Sequence, residues 1–118
     1  MNKAQIIASA PRLYVENVEK TLIFYIEKLG FSLINKIPNT YGMVERNGFQ
    51  IHFAVFNNHF PNKNQKQHII LWIPEIELFF NEIQQKNITI LEPITLRIYG
   101  NKEFVFADNN GNIITICD

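Results

Sequence analysis

The same order of elements reads twice along this chain: strand, helix and three strands, then strand, helix and three strands again. Internal repetition of this kind constrains a fold more than any other feature of a sequence. Setting Val15-Glu16-Asn17-Val18-Glu19 on Ile73-Pro74-Glu75-Ile76-Glu77 needs an offset of 58, which also pairs Leu13 with Leu71 and Leu22 with Phe80. Asn47-Gly48-Phe49-Gln50-Ile51-His52-Phe53 matches Asn110-Gly111-Asn112-Ile113-Ile114-Thr115-Ile116 at an offset of 63. The difference between the two offsets falls between helix and hairpin. The expected class is α+β, with one domain built of two βαβββ modules over 8–56 and 68–118. A polar connection over 57–67 joins them, rich in Asn and Gln besides Pro61, Lys63 and Lys66.

Local signals set the elements. Ala10–Glu16 alternates as a half-buried strand. Asn17 is placed to cap a helix, with Glu19 in its first turn where the helix dipole favours an acid. Val18, Leu22, Tyr25, Ile26 and Leu29 form one helix face, and Gly30 follows where a left-handed residue is wanted. Phe31–Ile37 and Thr40–Arg46 read as strands separated by a Pro38-Asn39 turn. Asn47-Gly48 is a strong hairpin signal, with Phe49–Phe56 as the returning strand. In the second module His68–Ile73 is a strand, and Pro74 starts a helix with Ile76, Phe79, Phe80 and Ile83 on its apolar face. Ile88–Leu91 is a short strand, Glu92–Gly100 an irregular stretch, Lys102–Ala107 a strand, Asp108–Asn112 a turn and Ile113–Cys117 the last strand.

Composition narrows the partners. Hydrophobic residues make up 47% of 118 and charged ones 19%, enough for a packed core. Eleven basic and eleven acidic residues cancel, leaving no electrostatic footprint for nucleic acid or an anionic membrane. No apolar run approaches the ~20 residues of a membrane span, and MNKAQIIASA lacks an adequate signal-peptide core. The single Cys117 allows no internal disulfide and fits a reducing compartment. A cytoplasmic protein is expected.

Period-two alternation divides the side chains between two sheet faces. Leu13 and Val15, Phe49, Ile51, Phe53 and Val55, Ile69, Leu71 and Ile73, and Ile114 and Ile116 form aliphatic and Phe sets that suit the helix bed. The opposite sets are mixed: Arg12 and Tyr14; Gln50, His52, Ala54 and Phe56; His68, Ile70 and Trp72; Ile113, Thr115 and Cys117. Aromatic and polar groups together are what a ligand cleft needs. His52, His68, Trp72 and Tyr14 are expected to line one cavity, with Trp72 as the stacking partner for an aromatic ligand. Phe56, Tyr41 and Met43 suit the same wall, and Arg97 and Tyr99 suit its rim. Arg12 has two readings, a ligand contact or an ion pair with Glu45 or Glu103. His59, in the polar connection, reads as solvated.

Three segments carry a family resemblance: RLYVENVEKTLIFYIEKLGFSL, NGFQIHF and KEFVFADNNGNIITI. Together, in this order, they resemble the vicinal oxygen chelate superfamily, which includes glyoxalase I, extradiol dioxygenases, fosfomycin-resistance enzymes and bleomycin-resistance proteins. The bleomycin-resistance branch is the most similar. Asn109 departs from the pattern, since the family turn usually carries Pro there. The resemblance implies two curved sheets with helices on the convex side and a cleft on the concave side. It implies a homodimer as well. In metal-dependent members four ligands sit in the cleft, at positions that correspond here to Ala10, His52, His68 and Thr115. Ala10 and Thr115 complete no ligand set, although Glu103 on a neighbouring strand is a possible substitute.

The first functional reading is therefore a small-molecule binding protein that sequesters a partly aromatic compound without chemistry and without a metal cofactor. Its expected ligand-binding residues are His52, His68, Trp72, Tyr14, Arg12, Phe56, Tyr41, Thr115, Glu103 and Tyr99. A cationic ligand such as bleomycin calls for an acidic groove, and a chain with no net charge offers no global attraction to one. The alternative is a metal-dependent lyase, isomerase, transferase or dioxygenase with a degenerate site. A third reading is a domain whose interface is its function.

Overall fold

Each half of the repeat forms its own four-stranded sheet. The computed structural model describes residues 2–61 and 64–118, so Asn62 and Lys63 of the polar connection lie outside the described residues. The first half contains β1 (Arg12–Val15), α1 (Val18–Ile23), a wider π-helical turn (Phe24–Lys28), β2 (Ser32–Ile37), β3 (Tyr41–Arg46) and β4 (Phe49–Val55). The second contains β5 (His68–Trp72), α2 (Ile76–Gln84), β6 (Thr89–Leu96), β7 (Lys102–Ala107) and β8 (Ile113–Cys117). Strand orders are β1-β4-β3-β2 and β5-β8-β7-β6, the same topology twice.

Register confirms the repeat strand by strand. The parallel pair β1–β4 sets Arg12 beside His52 and Tyr14 beside Ala54. The parallel pair β5–β8 sets Ile70 beside Thr115 and Trp72 beside Cys117. Arg12 and Ile70 differ by 58 and His52 and Thr115 by 63, so both sequence offsets reappear as equivalent pairings.

The expected caps and turns form. Asn17 Oδ1 accepts the Lys20 N–H at 2.9 Å. Asn47 and Gly48 both take positive φ, 54° and 86°, as a two-residue hairpin matched to strand twist requires. The helix departs from plain α geometry beyond Ile23, where the π turn begins. One expectation fails in the second module. Ile88–Leu91 is not a short strand before an irregular stretch, because β6 runs eight residues through Pro93. It pairs only with β7, and its register shifts between Ile90 and Glu92 and between Glu92 and Thr95. An edge strand with bulges tolerates a residue without an N–H.

Helix-side residues fill the core. Val18, Leu22, Tyr25 and Leu29 bury against Leu13, Val15, Val44, Ile51 and Phe53. Ile76, Phe79 and Ile83 bury in the same cluster as Phe104, Phe106, Ile114 and Ile116. Gly42 permits the close approach of α1 to β3, since a Cβ there would lie 2.7 Å from Leu22 Cδ2. Alternation places Phe49 on the helix bed, yet it is 73% exposed. It is the first residue of β4, beside the hairpin turn, while the buried set begins at Ile51. No helix of the described residues is long and apolar enough to cross a membrane.

A buried carboxylate joins the modules. Asp108 Oδ2 accepts the Tyr25 hydroxyl at 2.7 Å. Its Oδ1 accepts the N–H groups of Asn110 and Asn112 at 2.8 and 2.9 Å, closing the β7–β8 turn. Asn110 Nδ2 donates to Thr21 Oγ1 at 3.0 Å. Arg46, at the end of β3, donates to the Leu29 carbonyl and to Glu82, with its guanidinium 5.1 Å from the Phe79 ring centroid. Asp108→Ala is expected to lower the unfolding free energy by about 3 kcal/mol, because it leaves several buried donors without an acceptor. Tyr25→Phe should cost about 1 kcal/mol. Urea titration of both variants checks the order, and an equal loss would show that Asp108 is not the hub.

Candidate functional site

Alternation in β1, β3 and β4 turns Arg12, Tyr14, Tyr41, Met43, Gln50, His52 and Phe56 away from the helix bed. Four of these form a directed chain. Arg12 Nε–H donates to the Tyr41 hydroxyl at 3.1 Å, and that hydroxyl lies 2.6 Å from His52 Nδ1. His52 Nε2 lies 2.9 Å from Gln50 Oε1. Guanidinium nitrogens only donate, so the Tyr41 oxygen accepts from Arg12 and its own proton goes to Nδ1. Nε2 then carries the imidazole proton and gives it to Gln50. The Tyr41 ring meets His52 edge-on, at 83° and 5.5 Å between centroids.

Burial, and then the Arg12 charge, hold the His52 pKa below its ordinary value. The neutral imidazole is what the chain of donors and acceptors needs. The sign for stability follows from linkage. The folded protein binds this proton less readily than the unfolded chain, so acidification through the ordinary histidine range of about 6.5 favours unfolding.

Beside this chain is a cavity of about 400 Å³, lined by Arg12, Tyr14, Phe56, His59, Phe60, Pro61, Gln65 and Gln67. Tyr14 and Phe60 stack with centroids 4.3 Å apart and planes 17° from parallel. Gln67 fixes this wall by imitating a neighbouring strand. Its Oε1 accepts the Tyr14 N–H and its Nε2 donates to the Tyr14 carbonyl, both at 2.7 Å. Asn57 Oδ1 accepts the N–H groups of His59 and Phe60, which holds the turn that carries the Phe60 ring.

The second module presents a different arrangement. Glu103 accepts from Arg97 Nε at 3.0 Å, from Cys117 Sγ at 3.5 Å and from the Tyr99 hydroxyl. Arg97 also reaches Glu92 at 2.8 Å. The Tyr99 hydrogen bond above all holds the Glu103 carboxyl below the usual range; burial opposes it, and the bonds from Arg97 and Cys117 add to the lowering. Burial pushes the Cys117 thiol pKa up, as does its bond to Glu103. Trp72 is 67% exposed and lines a separate hollow of about 670 Å³ with Phe49, Ile70 and Leu78.

Within one chain, then, the expected residues divide. Arg12, Tyr14 and Phe56 line one cavity, with Tyr41 and His52 hydrogen-bonded behind Arg12. Tyr99 and Glu103 belong to the second module's network. Trp72 lies apart, His68 is exposed at the start of β5, and Thr115 is half-buried in β8. Of the four residues expected to share one cavity, Tyr14 and Trp72 line different cavities within one chain, and His52 and His68 lie on different sheets. Arg12 pairs with neither Glu45 nor Glu103: Glu45 accepts the Gly48 N–H, and Glu103 is held by Arg97. His59, read as solvated, lines the cavity together with Phe60 and Gln67. Phe60 carried a signal, an aromatic side chain set in a polar run.

These two sheets, with their matched registers and outward polar faces, have known counterparts. Residues 6–116 match the family model described as the Glyoxalase/Bleomycin resistance protein/Dioxygenase superfamily. The chain belongs to that superfamily. Solved structures with the same fold include TioX from Micromonospora sp. ML1, at 12% identity over 92% of this chain and 94% of that one, with a TM-score of 0.81. The bleomycin resistance determinant encoded on the transposon Tn5 has 16% identity over 96% and 98%, with a TM-score of 0.81. Lactoylglutathione lyase from Agrobacterium tumefaciens has 15% identity over 98% and 95%, with a TM-score of 0.79. No curated protein matches the chain.

The superfamily's metal positions can be tested on these residues. Ala10 offers no donor, and Thr115 offers only a hydroxyl. Both nitrogens of His52 are committed, to Tyr41 and Gln50. No group of three or more His, Cys, Asp or Glu side chains disposed around a metal occurs among the described residues. Among the described residues of one chain these four positions assemble no complete ligand set. Arg12→Gln is expected to raise the His52 pKa, since a nearby positive charge is removed. Following the His52 ring protons by NMR across acid pH checks this, and an unchanged midpoint would show that the Arg12 charge is not felt there.

Proposed function

We propose that this protein binds a partly aromatic small molecule and holds it without chemical conversion, as a binding protein of the bleomycin-resistance type. The observation that carries the reading is the cavity walled by Tyr14, Phe56 and Phe60, with Arg12 at its side. Aromatic walls with a few fixed polar groups are the usual make-up of a small-molecule site. The neighbouring polar groups are committed to one another, so none is poised as a nucleophile or base. The mismatch of Ala10, Thr115 and the doubly bonded His52 with a metal supports binding without a metal cofactor. Calorimetric titration with a panel of bicyclic aromatic compounds tests this reading, and a panel with no saturable member would overturn it. For a compound that binds, Tyr14→Ala and Phe60→Ala should each weaken affinity by about tenfold, the scale of one lost stacking contact.

The working form we propose is a homodimer. The radius of gyration is 15.5 Å, against about 13.5 Å for a compact chain of this length. Strand β5 is a sheet edge. Ile70 and Trp72 on it, with Phe49 and Leu78 nearby, are all more than half exposed and line one hollow. A second copy covering that hollow would remove apolar surface from water. Sedimentation at micromolar concentration is expected to give twice the mass of one chain, and a mass of 13.8 kDa would refute the dimer.

A further inference from the structure

We propose that the ligand of the Tyr14–Phe60 cavity is an anion, a planar aromatic carboxylate whose carboxylate sits on Arg12. The inference rests on the binding reading above and assigns the chemical class of what is bound.

The argument begins from a count of arginines. The sequence has three, Arg12, Arg46 and Arg97. Arg46 pairs with Glu82, and Arg97 pairs with both Glu92 and Glu103. Arg12 makes no ion pair among the described residues. Its Nε–H goes to a neutral hydroxyl, and the Tyr14 hydroxyl borders the same guanidinium. The terminal N–H groups therefore carry a full positive charge with no carboxylate to meet it. The described residues that line the cavity include no Asp or Glu. Glu16 lines an adjoining hollow that shares Tyr14, Phe56, Gln65 and Gln67, not the one that Arg12 lines.

Fixation adds to charge. Tyr41 holds the guanidinium from Nε and through its ring, whose centroid lies 5.3 Å from the Arg12 Cζ. A side chain held this way loses little freedom on binding, and its planar fork matches a carboxylate with two parallel bonds. One arginine balances one negative charge. A phosphate dianion would call for further donors, and the remaining lining groups are aromatic, amide and imidazole. The stacked pair of Tyr14 and Phe60 supplies the flat apolar surface for the rest of the ligand, with Phe60 still 52% exposed. The repeat sharpens the assignment, because the second module has Ile70 and Trp72 where the first has Arg12 and Tyr14. Only one of the two equivalent positions carries a cation.

The test uses three probes of one shape: naphthalene-2-carboxylate, naphthalene-2-methanol and 2-naphthylmethylammonium, titrated by calorimetry into the full chain at neutral pH. The carboxylate is expected to bind about tenfold more tightly than the alcohol and more tightly still than the ammonium, with the advantage shrinking as salt is raised. Arg12→Gln should remove the carboxylate's advantage over the alcohol. Arg12→Lys, which keeps the charge but not the fork, should retain part of it. Arg12 is exposed, and circular dichroism checks whether both variants remain folded. Equal binding of the three probes, preference for the ammonium, or an anion preference that survives Arg12→Gln would overturn the inference and leave the binding reading standing. No binding by any of the three would overturn the inference, and the wider aromatic panel then decides the binding reading separately.

Discussion

The buried carboxylate of Asp108 decides how the two halves of this chain sit. A carboxylate out of water is costly unless each oxygen is hydrogen-bonded. Here Oδ1 takes two backbone N–H groups of its own turn, and Oδ2 takes the Tyr25 hydroxyl from the other module together with Asn112 Nδ2. The bond thus ties the β7–β8 hairpin to the helical segment that fills the first module's core. Arg46 reinforces the same side by reaching Leu29, Glu82 and the Phe79 face. Because the modules meet through residues of the helix side, the opposite sheet faces are left to carry the cavity and the polar networks.

On those faces, polarity is organised by what each strand can reach. The parallel register of β1 and β4 puts Arg12 next to His52, and antiparallel pairing with β3 sets Met43 beside His52 and Tyr41 beside Ala54. Tyr41 therefore reaches both Arg12 and His52, diagonally across the sheet. Its hydroxyl has one proton and accepts one bond, so it imposes a direction on the whole chain from guanidinium to Gln50. That direction keeps His52 neutral and its nitrogens engaged. A histidine in this setting orients its neighbours through both ring nitrogens.

Much of this architecture was legible in the sequence because it rests on local rules. Asn47-Gly48 dictates a tight hairpin, Asn17 caps a helix, and the two offsets of 58 and 63 reappear as strand registers. What was not legible depended on competition between distant groups. Glu103 was a fair partner for Arg12 by face, yet Arg97 and Tyr99, a few residues away in the same hairpin, take both its oxygens. Pro93 pointed to an irregular stretch, whereas the edge position of β6 made its missing N–H harmless. Phe60 and Gln67 entered the site through the connection, where a polar composition concealed one aromatic ring and one strand-mimicking amide. Alternation assigns a residue to a face, but says nothing about whether two faces of one chain meet.

The repeat also explains why charge, more than shape, distinguishes the two outer faces. Both modules place a tyrosine–charge network opposite their helix. In the second, Arg97 lies between Glu92 and Glu103, so its charge is fully met and one negative charge is left over, beside the Tyr99 hydroxyl. In the first, Tyr41, a neutral His52 and Gln50 give Arg12 hydrogen bonds but no opposite charge. A chain with eleven basic and eleven acidic residues has no net field to steer a ligand, so discrimination by charge must come at contact distance. An unpaired guanidinium beside stacked rings supplies it locally. Its orientation is set by a hydroxyl that also fixes the histidine, so the same few bonds position both groups.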